Sequence, residues 1–146
     1  MKKFRNSYAA YMLLYSFYFM STSLFTTLIS VYLMGKHYSA TQVSTLVSVA
    51  FFLSMVAQPF FGYINERFGI VKMTTLSLSV IIGGVFGFLW APNLFWLTVF
   101  YGIVLVCLNG TAPMMEVFAT QSPYAFGKIR VWGTIGYSVG VQIAGW

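Results

Sequence analysis

Residues 94–118 read LFWLTVFYGIVLVCLNGTAPMMEVF, and this stretch decides the fold class. Residues 94–115 carry no charge, and the first charged residue is Glu116. At 1.5 Å per residue, an apolar run of roughly 20 residues crosses the hydrocarbon core of a bilayer as a helix. Strands of a membrane β-barrel would alternate apolar and polar residues instead. The stretch therefore predicts a transmembrane helix.

Similar apolar runs fill the rest of the 146-residue chain, of which 59% is hydrophobic and 7% charged. A water-soluble domain of this length cannot bury so much apolar surface. We expect an all-α membrane protein that crosses the bilayer about five times. The predicted helices are 8–34, 42–64, 72–90, 94–118 and 129–146.

The basic residues predict the orientation of the chain. If the helices alternate in direction, only Lys36 lies on the side opposite the N-terminus. The residues on the N-terminal side are Lys2, Lys3, Arg5, Arg67, Lys72, Lys128 and Arg130. This asymmetry predicts a cytoplasmic N-terminus in a multi-pass protein of the cytoplasmic (inner) membrane. Because the basic residues are scattered, the net charge of +6 does not indicate a nucleic-acid partner.

Ionisable residues inside a membrane are costly, so each is a functional candidate. Asn109, Ala112 and Glu116 are spaced i, i+3, i+7 and share one helix face. Arg130 and Tyr137 share a face of the next predicted helix, which a short loop makes a neighbour. Paired Glu116 and Arg130 would offer hydrogen bonds to a polar solute, and the ring of Tyr137 could stack on it. The alternative is that these residues lie at the membrane interface and only set topology.

Other polar and small residues have a simpler interpretation as helix-packing residues. Two polar stripes face either a wet cavity or, more commonly, a neighbouring helix. They are Ser16, Ser23, Thr27 and Ser30 beside Phe19 on the first helix, and Thr41, Ser44, Ser48 and Gln58 on the second. The pairs Gly83/Gly87 and Gly136/Gly140 have the small-residue spacing of helix contacts. The sequence has no catalytic triad, metal-ligand cluster or phosphate loop, so we expect no enzyme activity, cofactor or metal.

The run QPFFGYINERFGIVK, residues 58–72, resembles the loop between helices 2 and 3 of the major facilitator superfamily. That loop has the form G-x-x-x-D-R/K-x-G-x-x-K/R, and the present chain has Glu66 at the position of the aspartate. In the family the loop is thought to stabilise one of the alternating states. The resemblance therefore implies a gating role for one set of residues. They are Gly62, Glu66, Arg67, Gly69 and Lys72.

A second match indicates one branch of this superfamily. The segments NGTAPMME, residues 109–116, and FGKIRVWGTIG, residues 126–136, resemble the lactose-permease type of oligosaccharide:proton symporter. The resemblance implies that Glu116 and Arg130 hydrogen-bond a sugar, that Ala112 lies against it, and that Tyr137 replaces the family's stacking tryptophan. The full set of expected binding residues is Glu116, Arg130, Ala112, Asn109, Tyr137 and Phe19.

The resemblance implies a parent of twelve helices that works by alternating access, of which this chain supplies the N-terminal part. Its expected partners are a small polar solute (a sugar or nucleoside), protons, the lipid bilayer and the remaining C-terminal helices. Two alternatives are a drug:proton exporter of the same superfamily and an inactive, truncated membrane protein that acts by helix packing. The last predicted helix reaches Trp146 without a polar tail, so we expect a fragment or an interrupted gene.

Overall fold

The computed structural model describes residues 7–146, except the side chain of Ile70. The described chain is helical and contains no strand. Its five helices are α1 (Tyr8–Gly35), α2 (Ala40–Phe68), α3 (Ile70–Trp90), α4 (Leu94–Thr120) and α5 (Phe126–Ala144). The predicted all-α fold is confirmed. Lys2, Lys3 and Arg5, which contribute to the predicted orientation, lie outside the described residues.

Four of these helices, α1 to α4, are long and apolar enough to span a bilayer. Helix α5 does not meet the same criterion, because Lys128, Arg130 and Gln142 lower its mean hydropathy. Its crossing of the membrane therefore stays a prediction.

The boundary between α2 and α3 differs from the prediction. Helix α2 continues to Phe68, four residues beyond the expected end at residue 64. It ends at Gly69, whose φ of 86° favours glycine and whose N–H donates to the carbonyl of Asn65. Residues 65–68, which lie between two helices in the prediction, thus belong to α2. At the other end of α2, Ser39 forms a capping box with Gln42.

The described chain divides into two compact units, residues 7–38 with 115–146 and residues 39–114. In the first unit α1 packs on α5 through small residues. A Cβ on Gly136 would contact the backbone of Ser16, and one on Gly140 would lie 2.7 Å from the carbonyl oxygen of Met20. The Ser16 hydroxyl also donates to the carbonyl of Trp132 at 3.0 Å. The Gly136/Gly140 pair is therefore a helix-packing motif, and Ser16 bonds across the same interface.

Aromatic residues fix the start of α1 on the start of α5. The indole Nε1 of Trp132 donates to the hydroxyl of Tyr8 at 2.8 Å. That hydroxyl donates in turn to the carbonyl of Lys128 at 3.3 Å. The ring of Tyr124 meets Tyr8 and Tyr11 edge-on, with centroids 5.3 and 6.2 Å apart. These contacts hold the first turns of α5, and Tyr124 just before it, against the start of α1.

The second unit contains α2, α3 and α4 as far as Met114. Of the expected packing pair Gly83 and Gly87, only Gly87 contacts a neighbouring helix. Gly83 faces open space, whereas a Cβ on Gly84 would lie 2.7 Å from Cγ2 of Val104 and one on Gly87 would lie 2.5 Å from Cε1 of Phe100. The glycines that admit α4 are therefore Gly84 and Gly87, since residues three apart also share a helix face.

The polar stripe predicted on α2 is exposed in this unit. Its members Thr41, Ser44, Ser48 and Gln58 all lie on the surface of the described chain. The buried face of α2 instead holds Val43, Leu46, Ala50 and Ser54.

Candidate functional site

A cavity of about 240 Å³ opens in the first unit between α1, the end of α4 and the first half of α5. Its lining combines one acid, one base and three aromatic rings. The lining residues are Tyr15, Phe19, Glu116, Arg130, Gly133, Thr134 and Tyr137. The structure thus brings together four of the six predicted binding residues: Phe19, Glu116, Arg130 and Tyr137.

Glu116 and Arg130 face each other across a loose ion pair. The distance from Arg130 Nη1 to Glu116 Oε1 is 3.8 Å, and the two side chains are 60% and 50% exposed. An ion pair this long and this exposed contributes at most about 1 kcal/mol to stability. Both groups therefore keep donors and acceptors for a third molecule.

The connection between α4 and α5 places this pair. It is short, and Ser122 closes it by donating its hydroxyl to the carbonyl of Ala119 at 2.7 Å and accepting the N–H of Tyr124 at 3.3 Å. The Arg130 guanidinium lies over the Phe126 ring, 5.6 Å from its centroid. A cation over an aromatic face is attracted to it, so Phe126 supports the position of Arg130.

Aromatic rings form the apolar wall of the cavity. Tyr15 and Phe19 lie with their centroids 5.0 Å apart, and Tyr18 meets Phe19 edge-on at 5.3 Å. Tyr137 is 44% exposed. Rings beside hydrogen-bonding groups suit a ligand that has both apolar faces and polar edges.

Asn109 and Ala112 belong to the second unit. There the Asn109 amide donates to the hydroxyl of Ser54 at 2.8 Å, a bond between α4 and α2. Their part in solute binding stays a prediction.

Three cavity residues are not among the predicted binding residues: Tyr15, Gly133 and Thr134. Each lies one helical turn from a predicted residue: Tyr15 before Phe19, Gly133 before Tyr137, and Thr134 after Arg130. Extending the predicted faces by i, i+4 spacing would have found them.

The predicted gating residues lie in the second unit around the end of α2. Glu66 and Arg67 are exposed in its last turn, and Lys72 follows Gly69 in the first turn of α3. Gly62 is exposed, and no atom lies within 4 Å of the position that a Cβ would take there. Lys72 also lines a shallow cavity of about 410 Å³ with Val71, Thr75, Leu76 and Ser79. Their gating role stays a prediction. No group of acids, histidines and cysteines that could hold a metal occurs within residues 7–146.

The chain is similar to known proteins over almost its whole length. The chain is 28% identical to the sucrose permease of Escherichia coli over an alignment of 156 residues. That alignment covers 97% of this chain and 38% of the permease, so the chain spans less than half the length of this relative. No solved structure matches it significantly. The sequence profile of the MFS_1 like family matches residues 8–146. Because this match covers nearly the whole chain, the chain belongs to the MFS_1 like family of the major facilitator superfamily, as the two motifs predict.

Proposed function

We propose that the protein to which this chain contributes is a proton-coupled symporter of a sugar. The cavity between α1, α4 and α5 would form one side of its binding site. The observation that carries the proposal is the loose pair of Glu116 and Arg130 in a cavity walled by aromatic rings. Sugars present hydroxyl groups at their edges and C–H groups on their faces, and this lining offers partners to both.

Each polar group has a proposed role. The Glu116 carboxylate accepts hydrogen bonds from sugar hydroxyls, and the Arg130 guanidinium donates to sugar oxygens. The exposed ring of Tyr137 and the ring of Phe19 stack on the apolar face of the sugar.

The relative supports a sugar as the solute. Sucrose permease takes its name from a sugar, and the alignment includes α1, α4 and α5. The volume of this cavity, about 240 Å³, is smaller than that of complete small-molecule sites, which is about 300–1,000 Å³. The difference is consistent with a site that further helices complete.

We also propose the orientation and the gate. The distribution of Lys and Arg supports a cytoplasmic N-terminus in the cytoplasmic membrane. In this orientation α2 ends on the cytoplasmic side. Glu66, Arg67 and Lys72, with Gly62 and Gly69, then stabilise one state of alternating access.

Proton-driven uptake by the full-length protein in membrane vesicles tests the proposal. The panel begins with sucrose and includes other disaccharides, monosaccharides and nucleosides. We expect an imposed inward proton gradient to accumulate at least one sugar, and a protonophore to abolish the accumulation. Transport of lipophilic cations out of the cytoplasm without sugar uptake would show a drug exporter instead. No transport of any solute would contradict the proposal.

Gly133 offers a test of the aromatic wall. A Cβ at this position would lie 2.6 Å from Cδ1 of Tyr15 and 2.9 Å from Cδ2 of Phe19, so both rings must shift. We expect Gly133→Ala to weaken sugar binding about tenfold and to destabilise the fold by about 1–3 kcal/mol, the usual cost of overpacking. Equilibrium binding to purified protein measures the first effect and thermal unfolding the second.

The matched control is Gly127→Ala in the first turn of α5, where nothing lies within 4 Å of the added Cβ. It should bind sugar like the wild type. Wild-type affinity in Gly133→Ala would show that the wall of Tyr15 and Phe19 is not part of the site.

A further inference from the structure

The hydroxyl of Tyr15 is a buried polar group that has no hydrogen-bond partner in the described part of the chain. The side chain is 3% exposed, and no hydrogen bond to its hydroxyl oxygen is made by any residue from 7 to 146. Buried tyrosine hydroxyls normally find a partner, because leaving one unsatisfied costs free energy. An exception of this kind requires an explanation.

The position of Tyr15 supplies one, because the residue lines the cavity that contains Glu116 and Arg130. Its ring is held from two sides, by Phe19 at a centroid distance of 5.0 Å and by the bare backbone of Gly133. A ring packed in this way has little rotational freedom, so its hydroxyl is fixed before any ligand arrives.

We propose that the Tyr15 hydroxyl forms a hydrogen bond with one hydroxyl group of the bound sugar. This bond would determine which sugars the protein binds. This inference rests on the proposed function and adds a third polar contact to Glu116 and Arg130. A phenol both donates and accepts, so it pairs with a sugar hydroxyl in either sense. A sugar that lacks this hydroxyl would leave the phenol unpaired, and sites with such groups reject the deoxy analogue.

The test compares wild type with Tyr15→Phe, which removes the oxygen and keeps the ring. Binding to the purified full-length protein is measured for sucrose, or for another sugar of the uptake panel that binds more tightly, and for each of its monodeoxy derivatives. We expect Tyr15→Phe to weaken binding of the parent sugar about two- to tenfold, the range for one neutral hydrogen bond. For one monodeoxy derivative the two proteins should bind equally.

Two further measurements separate a binding role from a packing role. Tyr15→Phe should unfold at the same temperature as wild type or higher when no sugar is present, because it removes an unsatisfied buried group. Tyr11→Phe removes a hydroxyl one turn earlier on α1, where the ring contacts Tyr124. This control should bind every sugar like the wild type.

Three results would overturn the inference. If Tyr15→Phe binds the parent sugar like wild type while Glu116→Gln has lost it, the hydroxyl has no role although the proposed function stands. If Tyr15→Phe loses affinity equally for the parent and all deoxy derivatives, the effect is one of packing. If wild type binds no sugar, this inference and the proposed function both fail.

Discussion

Replacing Arg130 by alanine is expected to weaken sugar binding about a hundredfold or more, because hydrogen bonds to charged groups contribute about 1.5–3 kcal/mol each and a guanidinium makes two. The change also leaves the Glu116 carboxylate without its positive neighbour. Proton-driven uptake should fall to background. The measurements are equilibrium binding to the purified full-length protein and uptake into vesicles.

The expected loss is one of binding and not of folding. The pair is 3.8 Å long and its side chains are more than half solvent-accessible on average, so breaking it should barely change the unfolding temperature. Arg130→Lys keeps the charge but not the planar fork, and we expect it to retain part of the affinity. Lys128→Ala is the matched control, since it removes an exposed positive charge two residues away that does not line the cavity.

A double-mutant cycle with Glu116→Gln asks whether the two groups act together. If both hold the same sugar, the double variant should lose less than the sum of the two single losses. Normal sugar binding by Arg130→Ala would contradict the site assignment. Retained transport of lipophilic cations by that variant would favour the exporter.

The sequence was sufficient for the helices because their signal is local. An apolar run long enough to cross a bilayer has few alternatives to a helix, whatever its neighbours. The ends were less predictable, because Asn65, Glu66 and Arg67 are polar without breaking a helix. The residue that ends α2 is Gly69, which has a positive φ. The composition of the segment does not reveal this backbone conformation.

The site was predictable to the extent that it depends on spacing along a single helix. Arg130 and Tyr137 share a face of α5 because they are seven residues apart, and Glu116 is the acid nearest to them along the chain. Tyr15 is different, because its place in the cavity depends on the packing of α1 against α5. Those helices are about a hundred residues apart, and periodicity contains no information on how distant helices pair. Gly84 was missed for the same reason.

The contact between α1 and α5 leads to the second large prediction, which concerns folding. At Gly136 an added Cβ would contact the Ser16 backbone, with Cα and the carbonyl carbon 2.9 Å away. Backbone atoms cannot rotate aside as a side chain can, so the helices must separate to admit it. We expect Gly136→Ala to destabilise the protein by about 1–3 kcal/mol, the usual cost of overpacking. Gly136→Leu should prevent accumulation of folded protein.

Membrane expression and thermal unfolding of the detergent-solubilised protein measure this effect. Gly127→Ala and Gly127→Leu are the controls, because they make the same changes on the same helix at a position with open space. These controls should express like the wild type and unfold at the same temperature or slightly higher, since Ala and Leu have a higher helix propensity than Gly. Equal behaviour of the Gly136 and Gly127 series would mean that α1 and α5 do not approach this closely. The cavity between them, and with it the place of Tyr15 beside Arg130, would then need a different geometry.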